Sequence, residues 1–212
     1  MTGLRLFLRT RRAVLNVAVI VGAALLVMMC GPVAVGLAPQ ESSLTRVAMI
    51  VPLVPATVIA ASSVSSLPVQ EGNGVRNIHR WALAYVASLT VLLVAALCVS
   101  GGQLPPPDAT THDQGAVSVV RNAVALVGAA LIGYRLLEHR GGWVLGLAWV
   151  ILPPQVVPRP QNDPVALFTL ITQPDSSANA FGWAVMTWVL GVLGLAVRGG
   201  HMRLSRDGAA SR

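Results

Sequence analysis

Long apolar stretches separated by short polar segments make up most of this chain. Six intervals contain no Asp, Glu or Arg: 13–40, 47–70, 81–107, 122–134, 141–158 and 176–197. About 20 predominantly apolar residues are needed for a helix to cross the hydrocarbon core of a membrane. The pattern therefore predicts an all-α, polytopic membrane protein with six transmembrane helices, at about 13–37, 46–66, 81–100, 117–137, 142–157 and 180–197.

Whether the fourth and fifth segments cross the membrane depends on the residues at their ends. Arg121 and Arg135 bound the short fourth interval, and we expect both side chains to extend their guanidinium groups outward to the headgroups. The fifth interval contains Pro153 and Pro154, which remove backbone donors and are expected to bend or end the helix near its outer end. We predict that both segments cross; if they fail to do so, they fail together as a hairpin.

Other residues shape the backbone within the predicted spans. Pro52 and Pro55 lie within the second span, where we expect them to act as bending points. Gly142 and Gly146 form a GxxxG pattern, and small residues let membrane helices approach closely. The two glycines allow either close packing of helices within the chain or close contact with a second subunit.

The distribution of arginine indicates the orientation in the membrane. The chain carries 15 basic residues, all of them arginine, and a net charge of +7. Six spans place three of these, Arg46, Arg121 and Arg159, on one side and leave twelve on the side of both termini. Cytoplasmic segments carry the excess of basic residues, so we place both termini in the cytoplasm. The positive net charge is then explained by the orientation of the protein and by anionic lipid headgroups, and it does not indicate nucleic-acid binding.

The N-terminal segment has two interpretations. Thr10–Leu15 loosely resembles a twin-arginine export signal. The apolar run that follows is longer than the roughly 7–15 residues of a signal core, and more spans come after it, so we expect a retained helix. Leu4, Phe7 and Leu8 alternate with arginines, which favours a short amphipathic helix on the inner membrane surface.

Few residues are suited to catalysis. Without lysine the chain lacks a GK[ST] phosphate-binding loop, so any ATP must be bound by another chain. The predicted spans contain no carboxylate or histidine, which argues against an intramembrane protease or an ion-coupled carrier. Cys30 and Cys98 are isolated, and no CxxC or HxxxH spacing occurs. We therefore predict no metal, no cofactor and no enzymatic activity.

Two loops stand out between the spans. The predicted cytoplasmic loop 65–80 combines one acidic residue with basic and polar ones: Glu71, Arg76, His79 and Arg80. The last three share one face if the segment forms a helical turn. The loop is either a solvated basic turn or a docking element for a cytoplasmic partner. On the opposite side, the apolar stretch within 158–179 is too short to span and is typical of a re-entrant or interfacial helix.

Taken together, these features resemble the permease subunits of ATP-binding-cassette (ABC) exporters of the six-span second export type. The resemblance covers nearly the whole chain and is one of architecture. It implies that Leu4–Arg12 is the interface helix, that Glu71–Arg80 is the ATPase-coupling element, and that Pro164–Ile171 is the outer element. Within the coupling element, Glu71-Gly72 partly matches an acidic-Gly-Thr signature of the family.

The resemblance also implies partners and a location. Residues 1–212 would be a single transmembrane domain in a bacterial cell membrane, pairing as a homo- or heterodimer of permease subunits. ATP would be hydrolysed by a separate cytoplasmic ABC ATPase, and the substrate would be a drug, a lipid or a peptide. Two alternatives remain open: the substrate-binding membrane component of a vitamin importer, and a non-transporting membrane scaffold or regulatory subunit.

Overall fold

The described part of the chain is helical. The computed structural model describes Leu8 and residues 11–35, 45–63, 78–104, 115–156 and 175–210. These residues form six α-helices: α1 Ala13–Cys30, α2 Leu53–Ser63, α3 Ile78–Gly101, α4 Ala116–Leu136, α5 Glu138–Val156 and α6 Ala178–Ala210. A short antiparallel pair, β1 Ala34–Val35 and β2 Thr45–Arg46, and a 3-10 helix, Val47–Met49, connect α1 to α2.

Four of the described helices are long and apolar enough to cross a membrane. They correspond to the first, third, fourth and sixth predicted spans: Ala13–Cys30, Arg80–Gly101, Ala116–Leu136 and Ala178–Ala196. The second and fifth predicted spans correspond to shorter apolar helical segments, Val47–Ser63 and Gly142–Ile151. The prediction of a helical membrane protein is confirmed to this extent.

Helix α4 lies at the centre of the bundle and contacts α2, α3, α5 and α6. In this helix 72% of the apolar window is buried, against 22% in both α1 and α6. Its many alanines and glycines allow the neighbouring helices to approach it closely. The outer helices expose apolar side chains such as Val14 and Met29 of α1, as expected for surfaces that face lipid chains.

Consecutive helices run antiparallel. At one end of the bundle, Gly31 after α1 lies against Leu104 after α3, and Gly101 of α3 lies against Ala116 at the start of α4. We call this the Asp175 end, because Asp175 precedes α6 and contacts the start of α4. The opposite end, where α1 begins and α2 finishes, is called the Arg11 end. There Gly133 near the end of α4 packs against Gly142 near the start of α5.

The glycine pattern of α5 is used for packing within the chain. The Cα of Gly142 lies so close to Tyr134 that a side chain there would overlap the tyrosine ring. A methyl group on Gly146 would lie 3.0 Å from Leu53 Cδ1. Of the two interpretations of the GxxxG pattern, these contacts favour intramolecular packing against α4 and α2.

The prolines of the second predicted span lie near the start of α2, and their role as bending points stays a prediction. The 3-10 helix ends at Met49 and α2 begins only at Leu53. Pro52 thus precedes α2, and Pro55 lies in its first turn, where a backbone N–H has no intrahelical acceptor and proline is tolerated. Backbone hydrogen bonds continue through this turn, from the Leu53 N–H to the Ile50 carbonyl at 2.9 Å and from the Ala56 N–H to the Pro52 carbonyl at 3.0 Å. In α5, Pro153 and Pro154 lie within the last turn and the helix ends at Val156.

Candidate functional site

The predicted coupling residues are described only in part. Glu71 and Arg76 lie outside the described residues. His79 and Arg80 belong to the first turn of α3, and Arg80 is exposed. The role of these four residues stays a prediction. The two helix ends from which the loop leaves, that of α2 and that of α3, are both described.

The predicted N-terminal and outer elements are also mostly outside the described residues. Of Leu4–Arg12, the structure describes Leu8, which is helical and exposed, together with Arg11 and Arg12. Pro164–Ile171 is not described. The candidate sites are therefore the buried polar clusters at the two ends of the bundle.

The first cluster, at the Arg11 end, is termed the Arg11 elbow and comprises Arg11, Arg12, Asn16, Ser62 and Tyr85. The Arg11 side chain is only 4% exposed, and its Nη1 donates a hydrogen bond of 2.8 Å to the carbonyl oxygen of Ser62. Ser62 lies in the last turn of α2, where carbonyl groups have no partner within the helix. A cation is favourable at this end of a helix.

The main chain of the elbow is held by two other helices. The carbonyl oxygen of Arg11 accepts hydrogen bonds from Asn16 Nδ2 at 3.2 Å and from the Tyr85 hydroxyl at 3.4 Å. Asn16 Nδ2 also donates to the Tyr85 hydroxyl oxygen at 2.6 Å. The elbow thus joins the chain preceding α1 to α1, α2 and α3 at a single point.

Arg12 gives the elbow its sharp turn. Its backbone has φ 52° and ψ 44°, in the left-handed region, and it immediately precedes α1. Arg12 is the non-glycine residue with positive φ in the described part of the chain. For a residue with a Cβ this conformation costs roughly 1–2 kcal/mol, so the surrounding contacts must hold it in place.

The second cluster, termed the Arg121 cluster, lies at the Asp175 end and comprises Met49, Ser118, Arg121, Asn122 and Asp175. Apart from half-buried Asp175, its members are almost completely enclosed, with Arg121 1% exposed. Arg121 Nε donates to Asn122 Oδ1 at 3.3 Å, and Asn122 Nδ2 lies 3.6 Å from the sulfur of Met49.

The expectation that Arg121 extends outward to the headgroups is wrong. Arg121 is enclosed because it lies on the central helix, which has neighbours on all sides, and the negative charge of Asp175 attracts it. Arg135, near the other end of the same helix, is exposed as expected. Counting charges shows where a span ends but does not show which ends are surrounded by other helices.

Asp175 closes the N-terminus of α4 from a distant part of the chain. Gly115 precedes α4 and has no side chain with which to cap it. The Oδ1 atom of Asp175 accepts hydrogen bonds from the backbone N–H groups of Gly115 at 2.9 Å and Ser118 at 2.8 Å. Negative charge is favourable at this end of a helix. The contact fastens the starts of α4 and α6 together.

A shallow open groove lies along the first turns of α6. Its volume is about 390 Å³, and it is lined by Ala178, Asn179, Gly182, Trp183 and Met186. Trp183 and Trp149 of α5 pack against a small cluster of buried alanines. Among the described residues, those that line the groove all belong to α6.

The described residues contain no group of three or more His, Cys, Asp or Glu side chains that could hold a metal ion. Comparison of the chain with known protein families, curated proteins and solved structures finds no match. Function must therefore be inferred from the bundle and its two polar clusters. Sequence reasoning considered Arg121 but did not predict that these polar residues meet in clusters; the signal present was isolated Asn16 and Asn122 within apolar spans.

Proposed function

We propose that this protein is the membrane-spanning permease subunit of an ABC-type exporter. It moves a drug, a lipid or a peptide using ATP hydrolysed by a separate cytoplasmic subunit. The observation that carries the proposal is the Arg11 elbow, which brings the end of α2, the first turns of α3 and the N-terminal segment together. A partner that pushes on the α2–α3 loop would therefore move three parts of the bundle at once.

The proposal assigns sides to the two ends of the bundle. All six helices cross a bacterial cell membrane, with the Arg11 end in the cytoplasm and the Asp175 end outside. The antiparallel order of the helices supports this arrangement, because an even number of alternating helices begins and ends at the same end of a bundle. The excess of arginine on that side supports its being cytoplasmic.

The mechanism assigns distinct roles to the loop and the bundle. Glu71, Arg76, His79 and Arg80 contact the ATPase, and ATP-driven closure of two ATPases moves this loop in each of two paired permease subunits. Pro52 gives α2 a place to change direction, because proline has no backbone N–H and one hydrogen bond is therefore missing between the 3-10 helix and α2. The absence of lysine from the sequence supports a separate ATP-binding partner.

The test is purification of the tagged protein from its native host in mild detergent, followed by mass spectrometry of co-purifying chains. We expect an ABC ATPase in near-equal amount, and we expect Glu71→Gln with Arg76→Gln to reduce its recovery. The matched control is Glu138→Gln with Arg140→Gln, which removes the same charges from the other proposed cytoplasmic connection. Recovery of the wild-type protein without an ATPase would refute the proposal, and equal loss in both double variants would refute the coupling role of the loop.

A further inference from the structure

We infer that Arg11 is a positioning residue that clamps the last turn of α2 to α3 near Tyr85, on either side of the α2–α3 loop, and passes displacement of that loop to the N-terminal segment. The direction in which force passes rests on the proposed function. The clamp itself is a property of the bundle and is tested without any partner.

The side chain of Arg11 makes the first half of the clamp. Its guanidinium group donates to the Ser62 carbonyl at 2.8 Å, directly before the α2–α3 loop begins. With the Arg11 side chain 4% exposed, the bond is shielded from competing water, and hydrogen bonds are electrostatically stronger in such surroundings. Movement of the end of α2 therefore moves Arg11.

The main chain of Arg11 makes the second half. Its carbonyl oxygen accepts from Tyr85 of α3 and from Asn16 of α1. These two bonds do not involve the Arg11 side chain, so they survive its substitution. The two halves of the clamp can therefore be removed separately. Arg11→Gln removes the link to α2, and Tyr85→Phe removes the link to α3.

The backbone at Arg12 shows that the elbow is held firmly. A left-handed conformation at a residue with a Cβ persists only where the surroundings determine it. Arg11, on one side of Arg12, is hydrogen-bonded to three helices, and Ala13, on the other side, begins α1. The entry of the chain into α1 is therefore set by α2 and α3 together.

The clamp is tested by hydrogen–deuterium exchange with mass spectrometry on the full chain in lipid nanodiscs. Loss of one hydrogen bond should raise local opening about three- to tenfold. We expect this increase in Arg11→Gln, both in peptides covering 1–10 and in peptides covering 64–77, with exchange in α4 unchanged. Tyr85→Phe should raise exchange in 1–10 and in the first turns of α3. Arg11→Lys retains a cationic donor and should restore most of the protection.

Two matched controls separate the clamp from general loosening. Tyr134→Phe removes the hydroxyl of another partly buried tyrosine, and Arg135→Gln removes an exposed arginine from α4. Both should leave exchange in 1–10 and 64–77 unchanged. Increased exchange across the whole chain in Arg11→Gln, or an increase confined to one of the two segments, would overturn the clamp.

Transmission is tested by adding the co-purified ATPase. In the wild type we expect ATPase binding to lower exchange in both 64–77 and 1–10. In Arg11→Gln the lowering should be confined to 64–77, because the loop is still contacted but no longer linked to the elbow through the side chain. Equal lowering in both segments of the variant would overturn transmission. If no ATPase binds the wild type, the proposed function and the transmission step fail together, while the nanodisc measurement still decides the clamp.

Discussion

Gly128 of α4 and Gly191 of α6 face each other where the two helices cross, with their backbones in contact. A methyl group on Gly128 would lie 2.5 Å from the carbonyl carbon of Thr187, and one on Gly191 would lie 2.8 Å from the Gly128 carbonyl oxygen. Only hydrogen fits at either position. Because lipid chains are as apolar as the helix surfaces, such close packing is a principal source of attraction between membrane helices.

The first prediction concerns this crossing. Gly128→Ala should destabilise the bundle by about 1–3 kcal/mol, because the obstructing atoms belong to the α6 backbone and cannot rotate away. The matched control is Gly182→Ala, since a methyl group at Gly182 meets nothing within 4 Å. The measurement is thermal unfolding in detergent followed by circular dichroism. Equal melting temperatures for the two variants would show that the helices do not cross at Gly128.

The second prediction concerns the cap that Asp175 places on α4. Asp175→Ala removes the acceptor of two backbone N–H groups and should cost about 0.5–2 kcal/mol. Asp175→Asn keeps an acceptor oxygen but removes the charge near the helix N-terminus, so its effect should be smaller. Ser176→Ala, at the exposed neighbouring position, is the control and should leave the melting temperature unchanged. We expect the melting temperature to be lowest for Asp175→Ala, intermediate for Asp175→Asn and highest for the wild type.

The third prediction compares two arginines on the same helix. Arg121→Gln should destabilise the protein by about 3–5 kcal/mol, because it removes one partner from an enclosed polar cluster and leaves the others without it. Arg135→Gln should change stability by about 0.5 kcal/mol or less, since Arg135 is exposed. The measurement is the fraction of monodisperse protein after detergent extraction at increasing temperature. A larger loss in Arg135→Gln would contradict the placement of Arg121.

The sequence was sufficient for the four long helices because hydropathy and length determine which segments suit a membrane. It was not sufficient for the polar clusters. Asn16 and Tyr85 are 69 residues apart, and nothing in either local pattern indicates that they meet; their contact depends on how α1 packs against α3. Pro52 shows a different limit. Proline fits either a bent helix or the start of a new one, and the choice is made by tertiary packing.

The last prediction uses the backbone of Arg12. Arg12→Gly should stabilise the protein by about 0.5–1 kcal/mol, because glycine adopts the left-handed conformation without the cost that a Cβ imposes. Arg12→Val should destabilise it, since a β-branched residue tolerates positive φ poorly. The control is Arg135→Gly, in the helical backbone of α4, which should lower stability by about 1 kcal/mol. Opposite signs for the same substitution at the two arginines, measured by thermal unfolding, would establish the turn at Arg12. Loss of stability in both would show that Arg12 does not adopt this conformation in the membrane.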